Sequence, residues 1–492
     1  MVQIFIWLDR LHWLWLILAT PFLLFPNPER SPAMLVVPAT WILHWFLSRR
    51  KNSNSSNNSP TQQDSRYPLP LTPLNGSLLL LAIMVLVSIW ATYDIELSLP
   101  KLSGMVLGFG VFFAVVREGS NSKGWWLGLL VFLAMGFGVA NLGFLGTRWT
   151  TTKLDFLNPI TARFPMIFSN LPGAIGGFHP NEVAGALTWV LPIFVTLSVY
   201  FISPQTASRK YKKSRTHSMK GNKYGTLLVP ISKPWHIWVA RISVWFVTLF
   251  IGGVFILTQS RSGYLALAIT FPILLFISLP GKLKWIFLGL IVVTGIILGF
   301  ALSKEDLFIA RDWLMGSGIT SANTFSLNTL EGRIEIWSRA IYGLQDFSFT
   351  GMGMNTFREV VHVIYPLFSV TEDKDIGYGY AHAHNEFLQA GLDLGIPGMI
   401  AFIALNIGAL WMLMRLRRVI SWRSHQHTDM INSPQLFIAI VLGLAGGMAA
   451  HLVYGLTDAV ALGAKPGILF WILLSLIAGL YNQMFRPVVQ RD

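Results

Sequence analysis

The stretch GYAHAHNEFLQAGLDLGIPG at residues 379–398 holds the densest set of side chains able to do chemistry: His382, His384, Asn385, Glu386, Gln389 and Asp393, just before an apolar run. Imidazole, with an unperturbed pKa of about 6.5, is a natural general base at neutral pH, and a neighbouring carboxylate holds its tautomer. If the segment is extended, His382, His384 and Glu386 share one face, as a metal site would need, but a divalent ion takes a further ligand that the sequence does not name. The reading carried forward is a catalytic or ligand-binding histidine with no metal; a histidine lying at the membrane interface is the alternative.

Arginines supply the second set. In QSRSGYL (259–265) Arg261 stands at the outer junction of two apolar runs, against the usual bias of cations to the cytoplasmic side. An arginine reaching for outer headgroups is the plainer alternative. Arg333 opens the amphipathic segment EGRIEIWSRAIYGLQ, where pairing with Glu331 or Glu335 competes with a functional role. Two guanidinium groups at one opening would grip a phosphorylated ligand bidentately. Arg163, in TARFPMIF, is a third candidate. In GAIGGFHPNEVAGAL (173–187), Asn181 reads as a helix cap with Glu182 in the first turn, or as a polar rim for a sugar or phosphate at a helix N-terminus. His451 and Asp458 read as a packed pair or as part of a site, and Asp458 is kept as a supporting candidate. The sequence leaves open whether His382 or His179 takes part.

Other chemistries are excluded. There is no Gly-rich loop ending in Lys-Ser/Thr, no HExxH helix, no GxSxG elbow and no cysteine. Bound ATP as an energy source is thereby disfavoured, and GMGMN (351–355) reads as a turn.

The elements that must position these groups are membrane helices. Of 492 residues 53% are hydrophobic and 12% charged, about half the charge of an average soluble chain. Apolar windows place spans near 11–25, 33–48, 76–93, 99–116, 124–146, 181–203, 236–257, 262–280, 284–302, 397–414, 434–454 and 466–484. The expected fold is an all-α polytopic membrane protein with about twelve transmembrane helices: nine within 1–302, with cytoplasmic linkers at 49–75 and 204–235, a long periplasmic loop at 303–396, and three more within 397–492. With both termini inside, 20 Lys/Arg fall in cytoplasmic loops against 7 in short outer ones. The low-complexity linker 51–65 and the basic loop 209–223 are given no chemistry, the latter being a topology determinant. Ile334, Trp337, Ile341 and Leu344 fall at helical spacing, which predicts an amphipathic helix in the loop, lying at the interface or across the mouth of the helix bundle.

In this order and topology the motifs resemble the O-antigen ligase family of membrane glycosyltransferases, the O-antigen ligase and polymerase superfamily. HNEFLQAGLDLGIPG matches its His-Asn, nine residues, Gly, two residues, Gly pattern at His384, Asn385, Gly395 and Gly398, and RSGYL matches its Arg, three residues, Leu pattern. GRIEIW followed by GMG, HPNE before a span and the single long outer loop add support. The resemblance implies an inverting, metal-independent transferase without cofactor in the bacterial inner membrane. It would move a glycan from a polyprenyl (undecaprenyl) diphosphate carrier to a glycan, lipid or protein acceptor, such as the lipid A core, with membrane lipids as further partners and no nucleic acid. By similarity His384 is the base and Arg261 and Arg333 hold the diphosphate; Arg163 is kept as a third diphosphate-binding candidate on its residue type, and Asn385, Glu386, Asn181 and Asp458 as supporting residues. The motifs are shared among ligases, polymerases and protein O-oligosaccharyltransferases. They extend to a cyanobacterial protein proposed to act in inorganic carbon uptake, so a bicarbonate-type small-anion transporter is the alternative from another class.

Overall fold

A computed structural model of the chain is helical, apart from a two-residue antiparallel ladder of Asn170–Leu171 (β1) with Ala174–Ile175 (β2). It describes essentially residues 69–119, 122–147, 158–164, 174–202, 234–301, 330–365, 382–425 and 434–485, with a few single positions elsewhere. The helices in chain order are α1 (Asn75–Ala91), α2 (Ile95–Glu118), α3 (Ser122–Gly146), the single turn α4 (Asn158–Thr161), α5 (Pro180–Thr188), α6 (Leu191–Ile202), α7 (Pro234–Leu257), α8 (Arg261–Ser278), α9 (Leu283–Ala301), α10 (Leu330–Asp346), α11 (Thr356–Ile364), α12 (Glu386–His425), α13 (Pro434–Gly455) and α14 (Ile468–Phe485).

Seven of these regions are long and apolar enough to cross a membrane: α2, α3, α7, α8, α12, α13 and α14. The pair α5 and α6 passes as an eighth, bent by 49°. Helices α1 and α9 fall at expected spans and are apolar, but their qualifying stretches are shorter. The expected runs 11–25 and 33–48, the linker 51–65 and the basic loop 209–223 lie outside the described residues. On α7, Trp238, Ile242, Phe246 and Leu249 recur at helical spacing and are all more than half exposed, a face suited to hydrocarbon and not to water.

Close helix approach holds the inner bundle together. Any Cβ added at Gly443, Gly446 or Gly447 of α13 would come within 3 Å of Ile193, Pro192/Leu274 or Trp189. Small residues thus let α13 lie against the α5–α6 bend, the usual way apolar helices gain packing when lipid offers no hydrophobic drive.

The long loop holds the expected amphipathic helix and departs from expectation at its end. The helix, α10, buries Ile336 and Ala340, with Trp337 and Leu344 partly buried against the same core, whereas Ile334 and Ile341 are about half exposed. Its buried stripe packs on α11 and on the start of α12 through Met352, Phe357, Val361 and Leu392. Helix α12 begins at Glu386, well before the expected span at 397. At Gly395, φ 71° and ψ 173° break it, and a Cβ there would meet the Phe349 carbonyl oxygen at 2.0 Å, so only glycine fits. The GMGMN turn forms as expected and packs on that break: the Met352 N–H donates to the Leu392 carbonyl at 2.7 Å.

Candidate functional site

Three helix starts and one helix end converge. Asn181 lies in the first turn of α5, Arg261 begins α8, His384 and Asn385 precede α12, and Asp458 follows α13. Asp458 is the point where they meet. Its buried Oδ2 accepts from Asn181 Nδ2 at 2.8 Å and faces Arg333 Nη2 at 3.8 Å. Oδ1 accepts from its neighbour Ala459 N–H at 2.9 Å and lies 3.3 Å from His384 Nδ1 and 3.6 Å from His382 Nε2. Arg333 Nη1 donates to Ser262 Oγ at 3.3 Å, which draws α10 to the start of α8, and the Arg261 and Arg333 charges lie near enough to repel.

Burial alone would push the Asp458 carboxyl up, but the hydrogen-bonding imidazoles of His382 and His384 outweigh it and hold it well below the usual carboxylate range. An ionised carboxylate only accepts, so the His384 proton belongs on Nδ1 and Nε2 keeps its lone pair. Among the described residues nothing hydrogen-bonds to that Nε2. Burial, together with the neighbouring His384, pushes the His382 imidazole down to about 4. Its ring lies 4.2 Å from that of His384, centroid to centroid.

His384 is held in a left-handed backbone conformation (φ 44°), which costs of order 1–3 kcal/mol and needs support. Asn385 supplies part of it by capping α12: Oδ1 accepts from the Phe387 and Leu388 N–H groups, each at 3.0 Å, and Nδ2 donates to the Leu456 carbonyl. Trp337 Nε1 donates to the His384 carbonyl at 3.4 Å. From the other side the Ala383 N–H donates to Gln389 Oε1 at 2.9 Å, Gln389 Nε2 donates to Asp393 Oδ1 at 2.9 Å, and Lys101 Nζ pairs with Asp393 Oδ2 at 3.3 Å. Asp393 Oδ1 also accepts from the Asn355 N–H.

The structure therefore brings together His384, Arg261, Arg333, Asn181, Asn385 and Asp458. Other expectations are revised. Asn181 does not cap α5; His179 does, its Nδ1 accepting from the Asn181 N–H at 3.3 Å, which frees the Asn181 side chain for Asp458. Glu386 is not the carboxylate that orients His384. It points into the bundle and pairs with His451 Nε2 at 3.0 Å, while His451 Nδ1 faces Thr188 Oγ1 at 2.9 Å and the ring stacks on Trp189. His451 and Asp458 are thus not a pair. Arg163 is exposed on the turn after α4 and makes no contact with the cluster among the described residues. Lys101 was missed; a lone cation beside Pro100 at the start of an apolar run was the available signal.

His382, His384 and Asp458 are also the one described group of His, Asp or Glu side chains whose atoms are spaced to hold a metal ion. A search of curated proteins returns no match. Residues 246–403 match the family model described as O-Antigen ligase, a segment that contains Arg261, Arg333 and His384 but neither Asn181 nor Asp458. That segment is what the chain shares with the O-antigen ligase family, to which it is similar over those residues.

Proposed function

We propose that this protein is a ligase-type glycosyltransferase that moves a glycan from a polyprenyl diphosphate carrier to an acceptor hydroxyl at the outer face of a bacterial inner membrane. The observation that carries the reading is the His384 imidazole seated by Nδ1 on the Asp458 carboxylate, with Arg333 on the same carboxylate. His384 Nε2 takes the proton of the acceptor hydroxyl as its oxygen attacks the anomeric carbon. The bond from that carbon to the diphosphate oxygen breaks on the opposite face, inverting the centre. The leaving diphosphate gains negative charge, which Arg333 and Arg261 meet in a site poor in water, stabilising the transition state more than the bound donor. The sugar–diphosphate bond is already activated, so the step needs no ATP. Asp458 stabilises the imidazolium that forms and keeps the ring in the right tautomer, while Asn181 and Asn385 hold Asp458 and the α12 start in register.

The test is a deletion strain complemented with wild type or His384→Ala, with surface and polyprenyl-linked glycans extracted and compared. The expected result is loss of surface glycan and build-up of long lipid-linked chains in both the deletion and the variant, with the variant protein present in the membrane. Build-up of single repeats would replace ligase by polymerase. Unchanged glycan pools in the deletion would overturn the transferase reading and send the bet to small-anion transport.

A further inference from the structure

We propose that His382, His384 and Asp458 form a binding site for a borderline-soft divalent cation of the zinc class, and that the bound ion switches transfer off. The inhibition rests on His384 being the base; the binding does not.

The geometry is close to a coordination sphere. One ligand atom from each of the three residues lies within 4.8 Å of the other two, and Asp458 Oδ1 is 3.3 Å from His384 Nδ1 and 3.6 Å from His382 Nε2. Metal–ligand bonds of about 2.1 Å at tetrahedral angles set ligand atoms about 3.4 Å apart. Two of the three edges already have about that length, and the third is no longer than 4.8 Å. His382 Nε2 is buried and aimed at the Asp458 carboxylate, 3.6 Å from Oδ1, a separation and direction that coordination to one shared ion also fits.

The donor set also selects the ion. Two imidazoles and a carboxylate suit zinc and its late-transition neighbours, whereas magnesium and calcium prefer oxygen ligands throughout. Asn181 and Arg333 occupy Oδ2 and fix the carboxylate, leaving Oδ1 turned to both histidines, the kind of outer support that metal ligands need. Three protein ligands leave a fourth position open.

Occupation would disable the base without removing it. In the metal-free site His384 carries its proton on Nδ1 and its lone pair on Nε2. When the cation bonds to Nδ1, that proton moves to Nε2, so no proton leaves the ring but the lone pair facing the acceptor is gone. The Arg333 charge, on the far oxygen of Asp458, repels a second cation while it also fixes the carboxylate, so its two effects on the bound ion oppose each other.

The experiment uses the full chain purified in detergent and stripped with chelator, titrated with Zn²⁺ by calorimetry and with Co²⁺ by visible absorption. Wild type is expected to bind one ion per chain, to show the intense visible bands of four-coordinate cobalt, and to lose at least about 10-fold in transfer rate, recovered with chelator. His382→Ala, or His382→Gln should the alanine variant misfold, should weaken binding by about 100-fold or more. Inhibition is scored for each variant against its own metal-free rate, so differences in basal rate cancel. Absence of a stoichiometric ion, or binding unchanged in the His382 variant, overturns the site. An ion that binds while transfer continues overturns the inhibition. Wild type that transfers no glycan would instead sink the transferase reading, with the cobalt spectrum still deciding the metal site.

Discussion

Two buried carboxylates flank the His382–His384 segment, and their partners differ in kind. Asp393 is fully buried and its neighbours are a backbone N–H, a carboxamide and an ammonium: Asn355, Gln389 and Lys101. Asp458 is almost as buried but faces two imidazoles and a guanidinium, with Asn181 holding it in place. Asp393 has its charge answered by groups that hold position. Asp458 has it answered by groups that can exchange protons or meet an anion. One residue type, at similar burial, thus serves as anchor on one side of the histidines and as chemical partner on the other.

The sharpest way to break that comparison is to neutralise each carboxylate in turn. Asp458→Asn should lower the turnover of glycan transfer by roughly 100- to 10,000-fold, because an amide no longer fixes the Nδ1–H tautomer or stabilises the imidazolium. Its thermal unfolding temperature in detergent should change little by comparison. Asp393→Asn should do the reverse. Leaving the Lys101 charge in a largely buried setting costs up to about 3 kcal/mol, so unfolding temperature falls clearly while turnover per folded molecule drops about 10-fold or less. Equal losses of turnover in both variants would dissolve the distinction between anchor and partner.

Arg333 sharpens the Asp458 side. Among the described residues its buried Nε has no hydrogen-bond partner, while Nη1 and Nη2 reach Ser262 and Asp458. Arg333→Ala should cost about 3 kcal/mol of transition-state stabilisation, read as a fall in kcat rather than a rise in KM. Arg333→Lys should recover only part of it, since a point charge cannot span a diphosphate and Ser262 together. A pure KM effect would make Arg333 a ground-state binder.

The pH dependence of stability sharpens the Asp458 side further. Asp458, held well below the ordinary carboxylate range, keeps its contribution down through about pH 4 and loses it only as pH falls through its folded value. His382 works in the opposite sense. Its folded pKa of about 4 lies below the unfolded value of about 6.5, so between them the unfolded chain binds the extra proton and stability falls as pH drops. In chelator-containing buffer, His382→Gln should flatten the fall in unfolding temperature between about pH 6.5 and 4. A slope as steep as wild type would mean that His382 does not titrate in this way.

Much of this was legible in the chain, for reasons that differ by residue. His384, Arg261 and Arg333 stood out because ionisable groups beside apolar runs are costly unless used, and the fold brings them to one end of the bundle. Gly395 was visible as part of a spacing, but its cause, a backbone break wedged against Phe349, depends on a segment more than forty residues away. Which carboxylate orients His384 could not be read from the chain for the same reason. Glu386 is two residues off and looks like the natural orienter. Once α12 starts at Glu386, however, that side chain turns into the bundle toward His451, and Asp458, 74 residues later, takes the position. Asn181 was recognised as polar and first-turn, but the choice between capping and bridging depended on His179 doing the capping. Local pattern identified which groups mattered; pairings between distant elements decided what each one does.

Arg163 gives the smallest expected effect and closes the comparison from outside both networks. Its residue type made it a candidate for diphosphate binding. Its side chain is exposed, however, and its backbone N–H donates to the Ile160 carbonyl at 3.2 Å. A solvated guanidinium contributes through long-range attraction that salt screens within about 10 Å at 0.1 M, whereas a buried one acts through fixed hydrogen bonds that salt barely touches. Arg163→Ala should therefore leave kcat unchanged and raise the KM for the lipid diphosphate donor by about 2-fold at low salt, a difference that vanishes at high salt. A salt-independent loss of kcat would place Arg163 with Arg333 at the leaving group, and would mean that the segment from α4 to β2 closes over the site when donor binds.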